Sequence, residues 1–275
     1  MSGPIRVGAV SYLNAKPLYY RLTERAPGVR LEIDLPSRLA ERLAAGKIDV
    51  GLIPSVEYLR GAALGYEILP GFAIATRGPV RSVKLFSRVP FQGIERLALD
   101  AGSRTSQALA RVWLDAEHGV RPHVIESLPL GVPIEESTAD AVLLIGDRSM
   151  TVDPTPYHAV VDLGEAWRAL TGLPFVFALW VVRGGVELGD LPGVLERCRV
   201  DGLAHAAELA AQNGPRLGLD VATCYDYLTR NLSYDLGEPE VAGLCRFAAM
   251  AARLGLAPEG VNLVFHRRRG LAARC

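Results

Sequence analysis

Ser11 and Asn14 stand where a short apolar run, Ile5-Arg6-Val7-Gly8-Ala9-Val10, gives way to Tyr12-Leu13-Asn14-Ala15-Lys16-Pro17. A hydroxyl, a carboxamide and free main-chain N–H groups at a helix start are what a small anion needs. The same device returns at Gly102-Ser103-Arg104-Thr105-Ser106, directly after the run Leu97-Ala98-Leu99-Asp100. Two such helix starts suit a ligand with two carboxylates and need no positively charged protein. Ser, Thr and Asn at these places also serve as simple helix caps. Each segment therefore has a structural reading beside the functional one, and Lys16 reads equally as a surface lysine.

Three further positions fall at strand ends. Ser55 follows Ile53-Pro54 and is a candidate donor. Asp147 follows Ile145-Gly146 and is a candidate acceptor for a substrate hydroxyl, or a turn cap. Ser82 and Ser87 flank an extended stretch over residues 80–87, where alternation turns half of the side chains away from any one face. Other chemistries lack their motifs. There is no HExxH, P-loop or GxSxG pattern. His118, His123, His158, His205 and His266 are scattered without ligand spacing. Gly8 lies inside the strand, so no dinucleotide-binding glycine turn follows it. The expectation is no metal and no nucleotide cofactor.

The elements that must position these residues alternate. Strands are expected over 5–10, 29–35 and 48–53, with helices over 17–25 and 38–45 between them, Ser37 capping the second. A short helix starts at Pro54-Ser55. The middle repeats the theme: extended segments over 66–75 and 80–87, strands over 97–100, 123–126, 141–145 and 157–161, helices over 107–117 and 165–170, and a strongly apolar strand over 175–182. This order argues for mainly parallel sheets covered by helices. After Pro192 the pattern is helical, over 194–212, 222–231 and 240–254. The chain reads as an α/β protein of two similar lobes. Lobe 1 comprises residues 1–82 and 181–275, lobe 2 residues 83–180, with the stretches 80–87 and 175–182 crossing between them. A cleft between lobes is a favoured place for a small molecule.

The chain has 275 residues, 49% hydrophobic and 22% charged, with 30 basic and 30 acidic residues. That is ample for a core. It lacks the basic excess of a nucleic-acid binder, and the cluster His266-Arg267-Arg268-Arg269 reads as a solvated end. No apolar run is long enough to span a bilayer, and no secretory leader pattern opens the sequence. Cys198, Cys224, Cys245 and Cys275 match no zinc or CxxC spacing; the first three read as small apolar residues of helices. The expected compartment is the cytoplasm, with no membrane or nucleic-acid partner and the oligomeric state left open. These residues reach a two-lobed protein for a small anionic ligand, and both a binder and an enzyme remain possible readings.

Several blocks carry a resemblance. Val7-Gly8-Ala9-Val10-Ser11-Tyr12-Leu13-Asn14-Ala15-Lys16-Pro17-Leu18 is similar to the N-terminal motif of the chorismate dehydratase family, on the futalosine route to menaquinone. The resemblance continues in Asp49-Val50-Gly51-Leu52-Ile53-Pro54-Ser55-Val56-Glu57-Tyr58, in Val80-Arg81-Ser82-Val83-Lys84-Leu85-Phe86-Ser87 and in Ala141-Val142-Leu143-Leu144-Ile145-Gly146-Asp147. Asp162-Leu163-Gly164-Glu165-Ala166-Trp167, Thr171-Gly172-Leu173-Pro174-Phe175 and Tyr227-Leu228-Thr229-Arg230-Asn231-Leu232-Ser233-Tyr234 extend it over almost the whole chain. It implies a type 2 periplasmic-binding-protein-like fold and the dehydration of chorismate to 3-(1-carboxyvinyloxy)benzoate. It implies that Asn14 and a serine, Ser82 in preference to Ser87, form a catalytic polar pair. Thr105 and Ser106 resemble carboxylate-binding positions, with Ser11, Ser55 and Asp147 as further substrate contacts. A solute-binding protein for a small carboxylate is one alternative. The sister enzyme acting on cyclic dehypoxanthinyl futalosine is another, which a histidine in place of Gly146 would favour. A regulator's effector domain is a third, without a helix-turn-helix segment to support it.

Overall fold

A computed structural model describes residues 4–266 and 272–275. Two five-stranded sheets carry the fold. The first has the order β2-β1-β3-β10-β4, from β1 (Ile5–Val10), β2 (Val29–Asp34), β3 (Val50–Pro54), β4 (Glu67–Thr76) and β10 (Phe175–Val182). The second has the order β7-β6-β8-β5-β9, from β5 (Val83–Ser87), β6 (Arg96–Asp100), β7 (Val124–Leu128), β8 (Ala141–Ile145) and β9 (Ala159–Asp162). The two sheets share one plan. Three strands run parallel, and a fourth runs antiparallel between the third and an edge strand. In each sheet that antiparallel strand is the first one laid down after the chain arrives from the other sheet. Strands β3, β8 and β10 are buried throughout, which is why they read as unbroken apolar runs instead of alternating ones.

The helices cover the sheets: α1 (Leu22–Arg25), α2 (Pro36–Ala44), α3 (Ser55–Arg60), α4 (Arg104–His118), α5 (Leu163–Thr171), α6 (Leu191–Ala204), α7 (Ala206–Leu217), α8 (Val221–Asp226) and α9 (Glu238–Arg253). A short hairpin, β11 (Asn262–Val264) with β12 (Ala272–Arg274), follows α9. One large apolar cluster reaches through both sheets, and a smaller one around Phe86, Val142 and Leu144 covers part of the second sheet. No helix among the described residues is long and apolar enough to cross a membrane.

Several expectations need correction. The stretch 175–182 does not cross between sheets: β10 pairs with β3 on one side and β4 on the other, so the return lies at residues 172–174 and not at 180. The outgoing crossing is residues 77–82, just ahead of β5. The helix expected over 17–25 is a 3-10 turn, Leu13–Tyr19, followed by the single turn α1, with Arg21 left-handed at φ 52° between them. Helix α2 starts at Pro36, whose fixed φ suits a first helical position, so Ser37 is inside it and does not cap it. The helix expected over 194–212 is two, broken at His205. Cys198 and Cys224 are buried as expected, and burial pushes the Cys198 thiol up to about 11. Cys245 and Cys275 instead form a disulfide. His266 is not solvated: it is buried and its Nδ1 lies 2.6 Å from Glu67 Oε2. Arg267, Arg268 and Arg269 lie outside the described residues.

The 3-10 turn is held from behind by α6. A Cβ at Gly202 would lie 2.4 Å from the Pro17 carbonyl oxygen and 2.5 Å from Pro17 Cα. Both are main-chain atoms that cannot swing away. Alanine in a helix gains about 1 kcal/mol over glycine, whereas forcing a methyl into a packed contact costs about 1–3 kcal/mol. Overlap this close outweighs the propensity gain. Gly202→Ala is therefore expected to lower the melting temperature by a few degrees, at about 2–4 °C per kcal/mol for a chain of this size. Thermal melts by circular dichroism check it; an unchanged or raised midpoint would contradict the close packing.

Candidate active site

Between the sheets lies a cavity of about 500 Å³, counting its open mouth. Its walls come from Val10 at the end of β1, Pro54 at the end of β3, Ile74 of β4, Ile145 at the end of β8, and Phe177 of β10. The mouth of an α/β sheet beyond its strand ends is the expected ligand position. The polar lining consists of Tyr12, Asn14, Ser82, Ser103 and Ser106. No lining residue carries a charge, and no histidine, carboxylate or amine is among them.

Asn14 is the second residue of the 3-10 turn. Tyr12 occupies the N-cap position and no side chain caps the turn. The capping role open to Ser11 and Asn14 in the sequence is thus not used. Asn14 lines the cavity, and its Oδ1 is buried without a hydrogen-bond partner. A buried acceptor left open is costly unless a ligand completes it. Ser11 is exposed and stands outside the cavity.

Ser82 ends the outgoing crossing. It is 2% exposed and lines the cavity, and its Oγ accepts a 2.7 Å hydrogen bond from the Tyr227 hydroxyl. Ser87 is buried in β5 and donates to the Val89 carbonyl, so of the two serines only Ser82 reaches the cavity. Arg81, just before Ser82, is left-handed at φ 63°. The Asp162 carboxylate holds that turn by accepting from Val80 N–H (3.0 Å) and Arg81 N–H (2.6 Å). It also caps α5 through Gly164 and Glu165 N–H.

On the opposite wall, Ser103 caps α4. Its Oγ accepts from Ser106 N–H at 3.2 Å and donates to Ser106 Oγ at 3.0 Å. Ser106 and Ser82 are alike in one respect. Each oxygen accepts from a protein donor behind it, so each hydroxyl has its own proton left for the cavity. Burial pushes the Tyr12 phenol up, which keeps it a donor as well.

Ser55, Thr105 and Asp147 sit one layer back. Ser55 donates to the Val176 carbonyl at 2.7 Å, and Thr105 Oγ1 accepts from Val56 N–H at 3.2 Å. Together with Arg104, which pairs with Glu57 at 3.0 Å, these contacts bring α4 against the start of α3. Asp147 Oδ2 accepts from Leu13 N–H at 3.3 Å, and its Oδ1 is buried without a partner. The anion at the first helix start is therefore the protein's own carboxylate. Burial raises the Asp147 pKa, opposed by the Leu13 N–H and by Lys16. Gly146, at φ 70°, lies under the Tyr12 ring, where a Cβ would come within 3.1 Å of Tyr12 Cε1. Sequence reasoning missed Tyr12, which stands between Ser11 and Asn14 and reads as an apolar ring, and Tyr227, which lies far from any strand end. Among the described residues, no group of three or more His, Cys, Asp or Glu side chains converges to hold a metal.

Comparison with known proteins places the chain. A family model described as menaquinone biosynthesis matches residues 5–253. Over 263 residues the chain is 34% identical to a Thermus thermophilus protein named chorismate dehydratase, covering 89% of this chain and 94% of that one. A crystal structure of an Archaeoglobus fulgidus protein superposes with a TM-score of 0.69 at 20% identity, covering 92% of this chain and 98% of the other. The periplasmic aliphatic sulphonate binding protein SsuA of Escherichia coli gives 0.62 at 14% identity, covering 94% and 90%. The fold is thus periplasmic-binding-protein-like.

The raised carboxyl of Asp147 gives a pH dependence of known sign. In the folded protein it releases its proton later than the unfolded value of about 3.9. Its contribution to stability therefore falls as pH rises from that value through the raised one, and stays lowered above it. Asn at 147 keeps an oxygen for the Leu13 N–H and carries no charge. Asp147→Asn is expected to melt at or above the wild-type temperature at pH 7, with the difference shrinking as pH falls through the carboxylate range. Paired melts across pH measure this; a difference that grows on acidification would contradict it.

Proposed function

The chain belongs to the menaquinone-biosynthesis family, and we propose that it is a hydro-lyase that dehydrates chorismate to 3-(1-carboxyvinyloxy)benzoate. One observation carries this reading: the cavity offers hydrogen-bond donors and no base. The reaction takes a hydrogen from the ring carbon bearing the ether and the hydroxyl from its neighbour, and the ring becomes aromatic. A substrate with its own carboxylate beside the reacting carbon does not require a base from the wall.

In this reading the enolpyruvyl carboxylate takes the proton over a short intramolecular path and returns it to the departing hydroxyl as water. Charge spreads meanwhile through the diene to the ring carboxylate, where fixed donors stabilise it. Ser106 and the N-terminus of α4 supply such donors. Asn14 and Ser82 face the reacting edge, with Oδ1 of Asn14 to accept from the leaving hydroxyl and the free proton of Ser82 to donate to it. Ser55, Thr105 and Asp147 act from one layer back, and Ser11 stays outside. A side chain at Gly146 would be strained at φ 70° and would crowd the Tyr12 ring, which weighs against the sister enzyme. We assign the reaction to the cytoplasm on the biosynthetic character of the family.

Incubation of the purified protein with chorismate, followed by ultraviolet absorbance, is expected to show an aromatic product. Chorismate recovered unchanged would make the protein a solute binder instead. Asn14→Ala and Ser82→Ala are each expected to lower kcat by about 10²–10³-fold, the usual loss for one preorganised transition-state hydrogen-bonding group. Normal turnover in both would remove them from the site. An analogue esterified at the enolpyruvyl carboxylate is expected not to react; full-rate turnover would exclude that carboxylate as the base.

A further inference from the structure

The segment Tyr227-Leu228-Thr229-Arg230-Asn231-Leu232-Ser233-Tyr234 has no part in the cavity lining, yet Tyr227, Asn231, Ser233 and Tyr234 bond to the stretch of chain that ends at Ser82. It begins as a π-helical turn, Tyr227–Asn231, at the end of α8. Such turns are rare and often stand at functional sites. The Asn231 carboxamide donates to the Pro79 carbonyl at 3.1 Å, and Thr76 Oγ1 donates to the Asn231 carbonyl at 2.9 Å. Ser233 and Ala75 exchange two main-chain hydrogen bonds, and Ala73 N–H donates to the Tyr234 carbonyl. The segment thus lies along the chain from Ala73 to Ser82 like a splint.

Tyr227 completes it. The side chain is fully buried, and its hydroxyl donates to Ser82 Oγ at 2.7 Å. The phenol therefore bonds to one member of the polar pair while remaining outside the cavity. In that bond the phenol donates and Ser82 accepts. That choice turns the proton of Ser82 toward the cavity.

We propose that Tyr227 is a positioning residue of the dehydration, which fixes the direction of the Ser82 hydroxyl without touching the substrate. The proposal rests on the chorismate reading above. Without the phenol, Ser82 is free to turn its proton away from the substrate.

The test is Tyr227→Phe, which keeps the ring and removes the hydroxyl. Small misplacement of a reacting group costs up to about 10²-fold in rate. We expect kcat for chorismate to fall by about 10–10²-fold with KM changed less than twofold. In single-turnover measurements at high enzyme concentration, the same substitution in a Ser82→Ala background is expected to cost nothing further, since residues acting through one another are not additive. Asn231→Ala, a milder cut in the same splint, is expected to lower kcat less and again spare KM. Unchanged kcat in Tyr227→Phe, a loss confined to KM, or an equal loss with and without Ser82 would each overturn the proposal. A wild-type protein that leaves chorismate unchanged overturns the chorismate reading and the positioning role together. An active wild type with an equally active Tyr227→Phe overturns only the positioning role.

Discussion

One carboxylate ties together the parts of the chain that pass between the sheets. Asp162 ends β9, caps α5 and binds the Val80 and Arg81 N–H groups of the outgoing crossing. Arg81 is held left-handed there, a conformation that costs a residue with a Cβ roughly 1–2 kcal/mol. Hydrogen bonds to a charged group contribute about 1.5–3 kcal/mol each, so the two that Asp162 accepts from this turn outweigh the strain. The outcome is a kink that delivers Ser82 to the cavity and, at the far end of α5, a helix that leads into the return at residues 172–174. Gly164 fits close under the Gly78 carbonyl at the same point. The position of Ser82 thus depends on a contact between residues about eighty apart.

The sequence carried the class of fold and much of the strand order, because parallel strands buried on both faces announce themselves as apolar runs. It did not carry the membership of β10. Eight apolar residues define a strand but not its neighbours, and β3 (Val50–Pro54) and β4 (Glu67–Thr76) lie far before it in the chain. Ser82 was legible through the family resemblance, and its own chemistry left Ser87 equally open. Tyr227 was not legible as part of the site, since its hydroxyl meets Ser82 across 145 residues and nothing in the surrounding residues signals that meeting. The disulfide of Cys245 with Cys275 escaped for the same reason: its spacing fits no motif, and only the packing of the tail against α9 brings the sulfurs together.

The cavity handles charge in an unusual way for a site assigned to a dianion. Its cations are elsewhere: Arg148 pairs with the buried Asp100, and Arg104 with Glu57. What faces inward are hydroxyls, one carboxamide and a helix start. An arginine would grip the carboxylates of substrate and transition state alike, which strengthens binding without speeding the chemical step. Neutral donors with fixed protons respond to charge as it builds. That is consistent with a chain whose formal charges balance, 30 against 30, while its site remains suited to an anion.

The matching plans of the two sheets have a consequence for how the molecule comes together. The second sheet is built from one unbroken run, β5 to β9, and contains all its strands before the chain turns back. The first is interrupted. Its β3 and β4 follow each other along the chain but are separated in space by β10, which is made only after the whole second sheet. Until then the facing edges of β3 and β4 are open, a state that invites mispairing, and closing them means bringing together distant residues, a slow event. The half of the cavity that presents Asn14 is therefore the one whose sheet is closed by a strand arriving from beyond the other half.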